Sequence, residues 1–225
     1  MAEKAETTTT PAEATADAAA AEPAPSVVRG EGLDETLYEE YMKDESKFPA
    51  LTDKVVAITG TTTGLGFHLA RTAITKGAAV VLLLNRASER SEKAEAQLKE
   101  LYNNKNSTTV VTSIACDLMD LASVTEAAKQ VQEVAQKHGG LDVLCCNAGV
   151  MMMSDTRTKD GFDVQMQTNQ LSHALLMHLT WEALEEAASN RGQARVVFQS
   201  SGARNLPSTN LEAQYFEKCE PMSLG

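Results

Sequence analysis

Gly60, Gly64 and Gly66 stand in the spacing G-x-x-x-G-x-G directly behind the apolar run Val55–Ile58. A turn built from glycines lets the backbone approach a ligand with no side chain in the way. A helix starting near Gly64 would aim its free N–H groups and positive dipole end at that ligand. The chemistry such a turn suits is the holding of a phosphate or pyrophosphate, with an ordinary strand-to-helix turn as the alternative. Thr59, Thr62, Thr63 and Leu65 share the turn, and the hydroxyls of Thr61, Thr62 and Thr63 add donors around the same point.

Four further polar groups follow apolar runs. The run Ala78–Leu84 ends in Asn85-Arg86, where an acid would accept from the ribose 2′-OH of an adenine dinucleotide. Arginine there pairs instead with a 2′-phosphate through charge-assisted hydrogen bonds, so the position predicts NADP(H) in preference to NAD(H). A solvated surface arginine is the alternative. Asp117-Leu118 follows a third run and either contacts the adenine or starts the next turn. Asn147-Ala148-Gly149 follows VLCC, and Asn147 either ties strand ends together or approaches the adenosine ribose. Ser200-Ser201 follows the run Arg195–Gln199. Met151, Met152 and Met153 are core packing or an adaptable wall for an apolar substrate.

These positions require strands that end on one side. The apolar runs lack helical period, as buried parallel strands do. Between them lie helical patterns: Leu65 to Lys76, Ser88 to Tyr102, Asp120 to His138 and a long stretch over Asp160–Ser189. Strand and helix alternate with short connections. That order predicts an α/β fold, a Rossmann-type doubly wound parallel sheet with helices on both faces and ligands at the carboxyl ends of its strands. Residues 1–33, rich in Ala, Thr, Glu and Pro, cannot bury enough surface to order and read as a disordered tail. Residues 34–50 read as a short helix (34–46) and linker, 51–205 as the nucleotide-binding domain and 206–225 as an irregular segment.

Composition excludes several classes. Residues 1–50 carry 12 acids and 4 bases, a charge of −8, so of the total −11 only −3 falls on residues 51–225. No basic stripe argues for nucleic acid or an anionic membrane surface. No apolar run reaches the ~20 residues of a membrane span. Cys116, Cys145, Cys146 and Cys219 lack C-x-x-C spacing and a histidine ligand pattern, so no metal is expected and the thiols read as structural ones in a reducing, cytoplasmic setting. The acidic tail lacks the basic character of a transit peptide, although organelle targeting stays open. His173 and His178 are i, i+5 and share no helix face, and the polar residues Asn169, Gln170, Ser172 and His173 read as the solvent side of a helix.

Together these residues resemble the short-chain dehydrogenase/reductase family. Thr59-Gly60-x-x-x-Gly64-x-Gly66 matches its cofactor turn, Cys146-Asn147-Ala148-Gly149 its N-N-A-G motif with one substitution, and Asp117 its adenine-contact position. Asn169 matches the active-site asparagine and Ser201 the active-site serine. The segments Asn147–Met153, Thr158–Phe162 and Asn169–His173 look most like the retinol-dehydrogenase and protochlorophyllide-reductase-like branch. The resemblance implies hydride transfer between nicotinamide and a carbonyl or alcohol, with an apolar small molecule as substrate and a homo-oligomer as a common assembly. It also implies a tyrosine as acid or base, a lysine four residues later, the serine on the reacting oxygen and the asparagine in a water-mediated relay.

The family's Y-x-x-x-K is absent from this chain. Tyr215 with Lys218 at i+3 is an off-pattern candidate pair, and Pro221 follows three residues later. The expectation is an incomplete reductase that carries the cofactor half, because Ser201 and Asn169 serve no purpose in a pure binder. A non-catalytic NADP(H)-binding sensor or interaction module is the alternative. A methyltransferase-like nucleotide fold is disfavoured by Asn85-Arg86 in place of an acid.

Overall fold

In the computed structural model five strands line up side by side in the order β3-β2-β1-β4-β5, all parallel. The structure describes residues 40, 42–44, 46, 48–103, 108–153 and 156–202. The tail expected over 1–33, most of the helix over 34–46, and Tyr215 and Lys218 lie outside the described residues. Of that helix, Glu40, Met42 and Lys43 are helical and Met42 is buried.

In chain order the elements are β1 (Val55–Thr59), α1 (Gly64–Thr75), β2 (Val80–Asn85), α2 (Glu89–Asn103), β3 (Val110–Ala115), α3 (Leu121–Lys137) and β4 (Val143–Cys146). There follow a single turn α4 (Val164–Met166), a π-helical turn (Gln167–Leu171), α5 (Ser172–Leu179), α6 (Trp181–Arg191) and β5 (Arg195–Phe198). The chain runs outward from β1 to β3, then crosses to β4 on the other side of β1. The strand order therefore reverses beside β1, and a crevice opens at the carboxyl ends of β1 and β4.

Every residue of β1 and β2 is buried, because helices cover both faces. Val55 and Ala57 point to one face with Val80, Leu82 and Leu84, against Val124, Ala128, Val131 and Ala135 of α3 and Leu176 of α5. Val56 and Ile58 point to the other with Val81 and Leu83, against Ala70, Ala73 and Ile74 of α1 and Leu98 of α2. This period-2 alternation gives one sheet two cores.

Polar side chains fix the amino end of the sheet. The Asp142 carboxylate is only 3% exposed and accepts from the Val55 backbone N–H at 2.8 Å. Arg191 on α6 donates to both its oxygens, through Nε at 2.6 Å and a terminal nitrogen at 2.8 Å. Lys54 Nζ lies 3.2 Å away. One carboxylate thereby joins β1, β4 and α6 at the end opposite the crevice.

The stretch expected as one helix over 160–189 is broken twice. The π turn adds a residue to the helical ring at Gln167–Leu171: the Ser172 N–H donates five residues back, to the Gln167 carbonyl. At Thr180 the side-chain hydroxyl donates to the Leu176 carbonyl at 2.9 Å, competing for the backbone bond there, and α6 starts afresh.

Cys116, Cys145 and Cys146 are free and buried. Burial pushes their thiols up to about 12, about 11 and about 12, helped at Cys116 by the Asp117 carboxylate. Thiolate is the reactive form. All three are expected to resist iodoacetamide at pH 8 in the folded chain and to react once it is unfolded. Mass spectrometry of the labelled chain checks this, and rapid labelling of any of the three in the folded chain would contradict it.

Candidate functional site

An open cleft of about 430 Å³ lies at the carboxyl ends of β1, β2, β3 and β4. Its lining includes Gly60, Thr62, Thr63, Leu65 and Gly66 from the glycine turn, and Asn85 and Arg86 from the end of β2. Asp117 and Leu118 follow β3, and Asn147, Ala148 and Gly149 follow β4. Twelve of the fourteen residues singled out for cofactor binding thus share one cavity. Thr59 and Gly64 are not in the lining: Thr59 is fully buried behind it and Gly64 opens α1.

The glycine turn is built by close approach. Gly60 sits at φ 73°, in the left-handed region that side chains disfavour. A Cβ on Gly66 would lie 2.1 Å from the Gly60 carbonyl oxygen and 2.5 Å from Asn147 Nδ2. Thr63 caps α1 in extended conformation with no side-chain hydrogen bond to the helix, so the first helical N–H groups stay open towards the cleft. Thr61 is not a ligand donor here. It is fully buried, its N–H donates to Asn85 Oδ1 at 2.8 Å, and its hydroxyl accepts from Asn85 Nδ2 at 2.7 Å. Asn85 thereby locks the end of β2 to the turn.

Asn147 ties strand ends together. Its Nδ2 donates to the carbonyls of Thr59 at 2.9 Å and Gly60 at 3.2 Å. Asp117 starts a turn while lining the cavity: its carboxylate accepts from the Met119 N–H at 3.0 Å. Asn169 lies in the π turn. Its side chain pairs with the Val150 backbone in both directions, accepting at 2.8 Å and donating at 2.8 Å. Ser201 is exposed just beyond β5 and, like Asn169, is not part of the lining.

The lining also contains residues that sequence reasoning passed over: Ser88, Arg90, Met119, Val150, Thr168 and Gln199 among them. Arg90, in the first turn of α2, donates to Thr63 Oγ at 3.3 Å and stands beside Arg86 at the cleft. Arg90 gave no signal of its own, since an arginine in a first helical turn reads as a solvated side chain. Thr168 gave no signal, being one polar residue in a helical run. Its Oγ1 is buried, faces no protein partner and belongs to a residue of the lining.

A clip holds the loop after Gly149. Lys159 forms a short ion pair with Asp120, and its hydrogen bond keeps the Asp120 carboxyl below the usual carboxylate range. Asp160 accepts from the Leu121 N–H at 2.9 Å and from Gln167 Nε2 at 2.8 Å. The loop is thereby anchored to both α3 and the π turn. Met151 and Met152 project from it into solvent, 68% and 87% exposed.

His173 and Ser172 are buried rather than solvent-facing. Ser172 donates to the Leu118 carbonyl at 2.6 Å. Burial holds the His173 imidazole below its ordinary value of 6.5. The folded state thus prefers the neutral ring, and the unfolded chain binds the extra proton below about pH 6.5. The associated stability is present above that pH and is lost as pH falls through the lowered folded value, with a slope of at most about 1.4 kcal/mol per pH unit. Urea unfolding between pH 7.5 and 5.5 should show this slope, and His173→Asn should flatten it. An equal slope in the variant would contradict the assignment.

A cleft at the reversal point of a doubly wound parallel sheet, with a glycine turn and a helix start on its rim, defines a Rossmann-type nucleotide-binding fold. The chain belongs to the short-chain dehydrogenase family, whose model matches residues 54–214. Polyprenol dehydrogenase of Homo sapiens is 33% identical over 175 residues, covering 78% of this chain and 51% of that protein. Retinol dehydrogenase 11 of Homo sapiens is 38% identical over 156 residues, covering 69% of this chain and 45% of that protein. The chain spans about half the length of these curated relatives. A solved metagenomic short-chain oxidoreductase in complex with NADP superposes with TM-score 0.55 at 26% identity, covering 70% of this chain and 66% of that one.

Proposed function

We propose that this chain binds NADP(H) and forms the cofactor-holding part of a short-chain oxidoreductase acting on an apolar carbonyl or alcohol. The observation that carries the reading is that the glycine turn and Arg86 line one and the same cleft. The donor set fits the cofactor. Gly60 and Gly66 let the turn pack tightly against Ala148 and Asn147, and the open N–H groups and dipole at the start of α1 suit a pyrophosphate. Arg86 and Arg90 suit a 2′-phosphate beyond the adenosine ribose. The orphaned Thr168 hydroxyl gains a partner if a polar ligand fills the cleft.

When bound, the nicotinamide supplies or accepts the hydride. The chain's own residues position and polarise. Ser201 would donate to the reacting oxygen, and Asn169, gripped by Val150, would order the water beside it. The exposed Met151 and Met152 offer a polarisable, adaptable wall for an apolar substrate. The names of the polyprenol and retinol dehydrogenases point to apolar alcohols of this kind. The cofactor module runs over residues 51–205, and its buried free thiols suit a reducing compartment.

Arg86→Ala tests the cofactor assignment. NADPH affinity should fall about tenfold to a hundredfold, the loss of one charge-assisted pair, while NADH affinity stays within about threefold. Equal losses for both cofactors would remove the 2′-phosphate from the account. Loss of NADPH absorbance with an apolar aldehyde or ketone tests turnover, and binding without turnover would favour a sensor.

A further inference from the structure

The imidazole of His173 is 1% exposed and bridges two elements that meet at the cleft. Its Nε2 lies 2.9 Å from Thr59 Oγ1, on the last residue of β1. Its Nδ1 lies 3.1 Å from the Asn169 carbonyl oxygen, inside the π turn. The hydrogen positions follow from counting. A threonine hydroxyl has one proton and two acceptor sites. The Asn147 and Ala148 N–H groups, each at 3.0 Å, occupy both acceptor sites of Thr59. Its proton must therefore be donated, and the imidazole at 2.9 Å is closer than the alternative, the Cys145 carbonyl at 3.4 Å. Nε2 is then the acceptor, so Nδ1 carries the ring proton and donates it to the Asn169 carbonyl.

That carbonyl lies within the π turn, and the imidazole reaches it from four residues further along the chain. The same Asn169 holds Val150 through its side chain, and Val150, Asn147 and Ala148 all line the cleft.

We infer that His173, as the neutral Nδ1–H tautomer, is a positioning residue that couples the carboxyl end of β1 and the Asn147-Ala148 turn to the π turn presenting Asn169. This rests on the reading of the cleft as an NADP(H) site. The histidine touches neither cofactor nor substrate. It makes the wall behind Gly60 and the wall carrying Val150 one rigid piece, so that less ordering is left for the ligand to impose. The Phe198 ring stands perpendicular to the imidazole, centroid 6.4 Å away.

Ring ¹⁵N chemical shifts of the unmodified full chain, with and without NADPH, read the tautomer directly. His173 should be Nδ1–H and neutral at pH 7.5, and an Nε2–H tautomer would overturn the inference. NADPH titration of two variants tests the coupling. His173→Phe keeps the ring volume beside Phe198 and loses both hydrogen bonds, so affinity should fall roughly tenfold. His173→Asn keeps an amide donor near the place of Nδ1 and should recover most of that loss. A purely packing role predicts the reverse order, with phenylalanine better tolerated than asparagine, and that order or an unchanged affinity in His173→Phe would sink the coupling. If the unmodified chain binds no NADPH, the proposed function fails, while the tautomer still stands or falls on the ring shifts.

Discussion

Replacing Gly66 by alanine should lower NADPH affinity more than about a hundredfold and lower the melting temperature as well. The added methyl would sit 2.1 Å from the Gly60 carbonyl oxygen and 2.9 Å from its carbon. Both are backbone atoms, and Gly60 is held in turn by its N–H bond to the Leu84 carbonyl at 3.0 Å. The turn cannot yield at one point without moving the end of β1 or the start of α1. Overpacking of this kind costs about 1–3 kcal/mol in stability. The displaced turn also loses the alignment of its open N–H groups with the ligand, which accounts for the larger effect on binding. Gly64→Ala makes the contrast: no atom lies within 4 Å of its added methyl, but φ is +60°. Its cost is about 1–2 kcal/mol of backbone strain, without a clash. Fluorescence titration and thermal unfolding of the two variants separate these causes. Equal NADPH affinity in Gly66→Ala and the unmodified chain would refute the steric argument.

Asp142→Ala should cost about 3–5 kcal/mol in unfolding free energy, the range for removing one partner from a buried ion pair. The carboxylate is nearly inaccessible, and its loss leaves the Arg191 guanidinium, the Lys54 ammonium and the Val55 N–H without it. Asp142→Asn should be milder for the backbone bond, since an amide oxygen can still accept from Val55, but it loses the charge facing two cations. The node lies at the amino ends of β1 and β4, away from the cleft, so NADPH affinity of the folded Asp142→Asn fraction should be unchanged within about threefold. Urea unfolding measures the stability term. A loss below about 1 kcal/mol in Asp142→Ala would place the node among weak surface pairs.

The sheet and the cleft were legible because they rest on local signals. Buried parallel strands show as unbroken apolar runs, and the glycines, Arg86, Asp117 and Asn147 stand directly behind them. The π turn was not legible. Its shape is set by partners far along the chain: Asn169 grips Val150 across 19 residues, and His173 meets Thr59 across 114. Their polarity read Ser172 and His173 as solvent-facing, but the fold buries both, against the Leu118 carbonyl and the Thr59 hydroxyl. Arg90 was hidden for another reason. An arginine in a first helical turn reads as a solvated side chain until the fold brings Thr63 beside it. Thr61 illustrates the converse, since three successive threonines look alike in sequence and only the Asn85 contact sorts the structural one from the two that line the cleft.

If the cleft holds NADP(H) by its 2′-phosphate, as proposed, the two reduced cofactors must bind differently. Isothermal titration of the full, unmodified chain with NADPH and with NADH, at one ionic strength, addresses it directly. NADPH should bind saturably and one-to-one, at least about tenfold tighter than NADH, as expected for one added charge-assisted contact. Equal affinity for the two, or no binding of either, would contradict it.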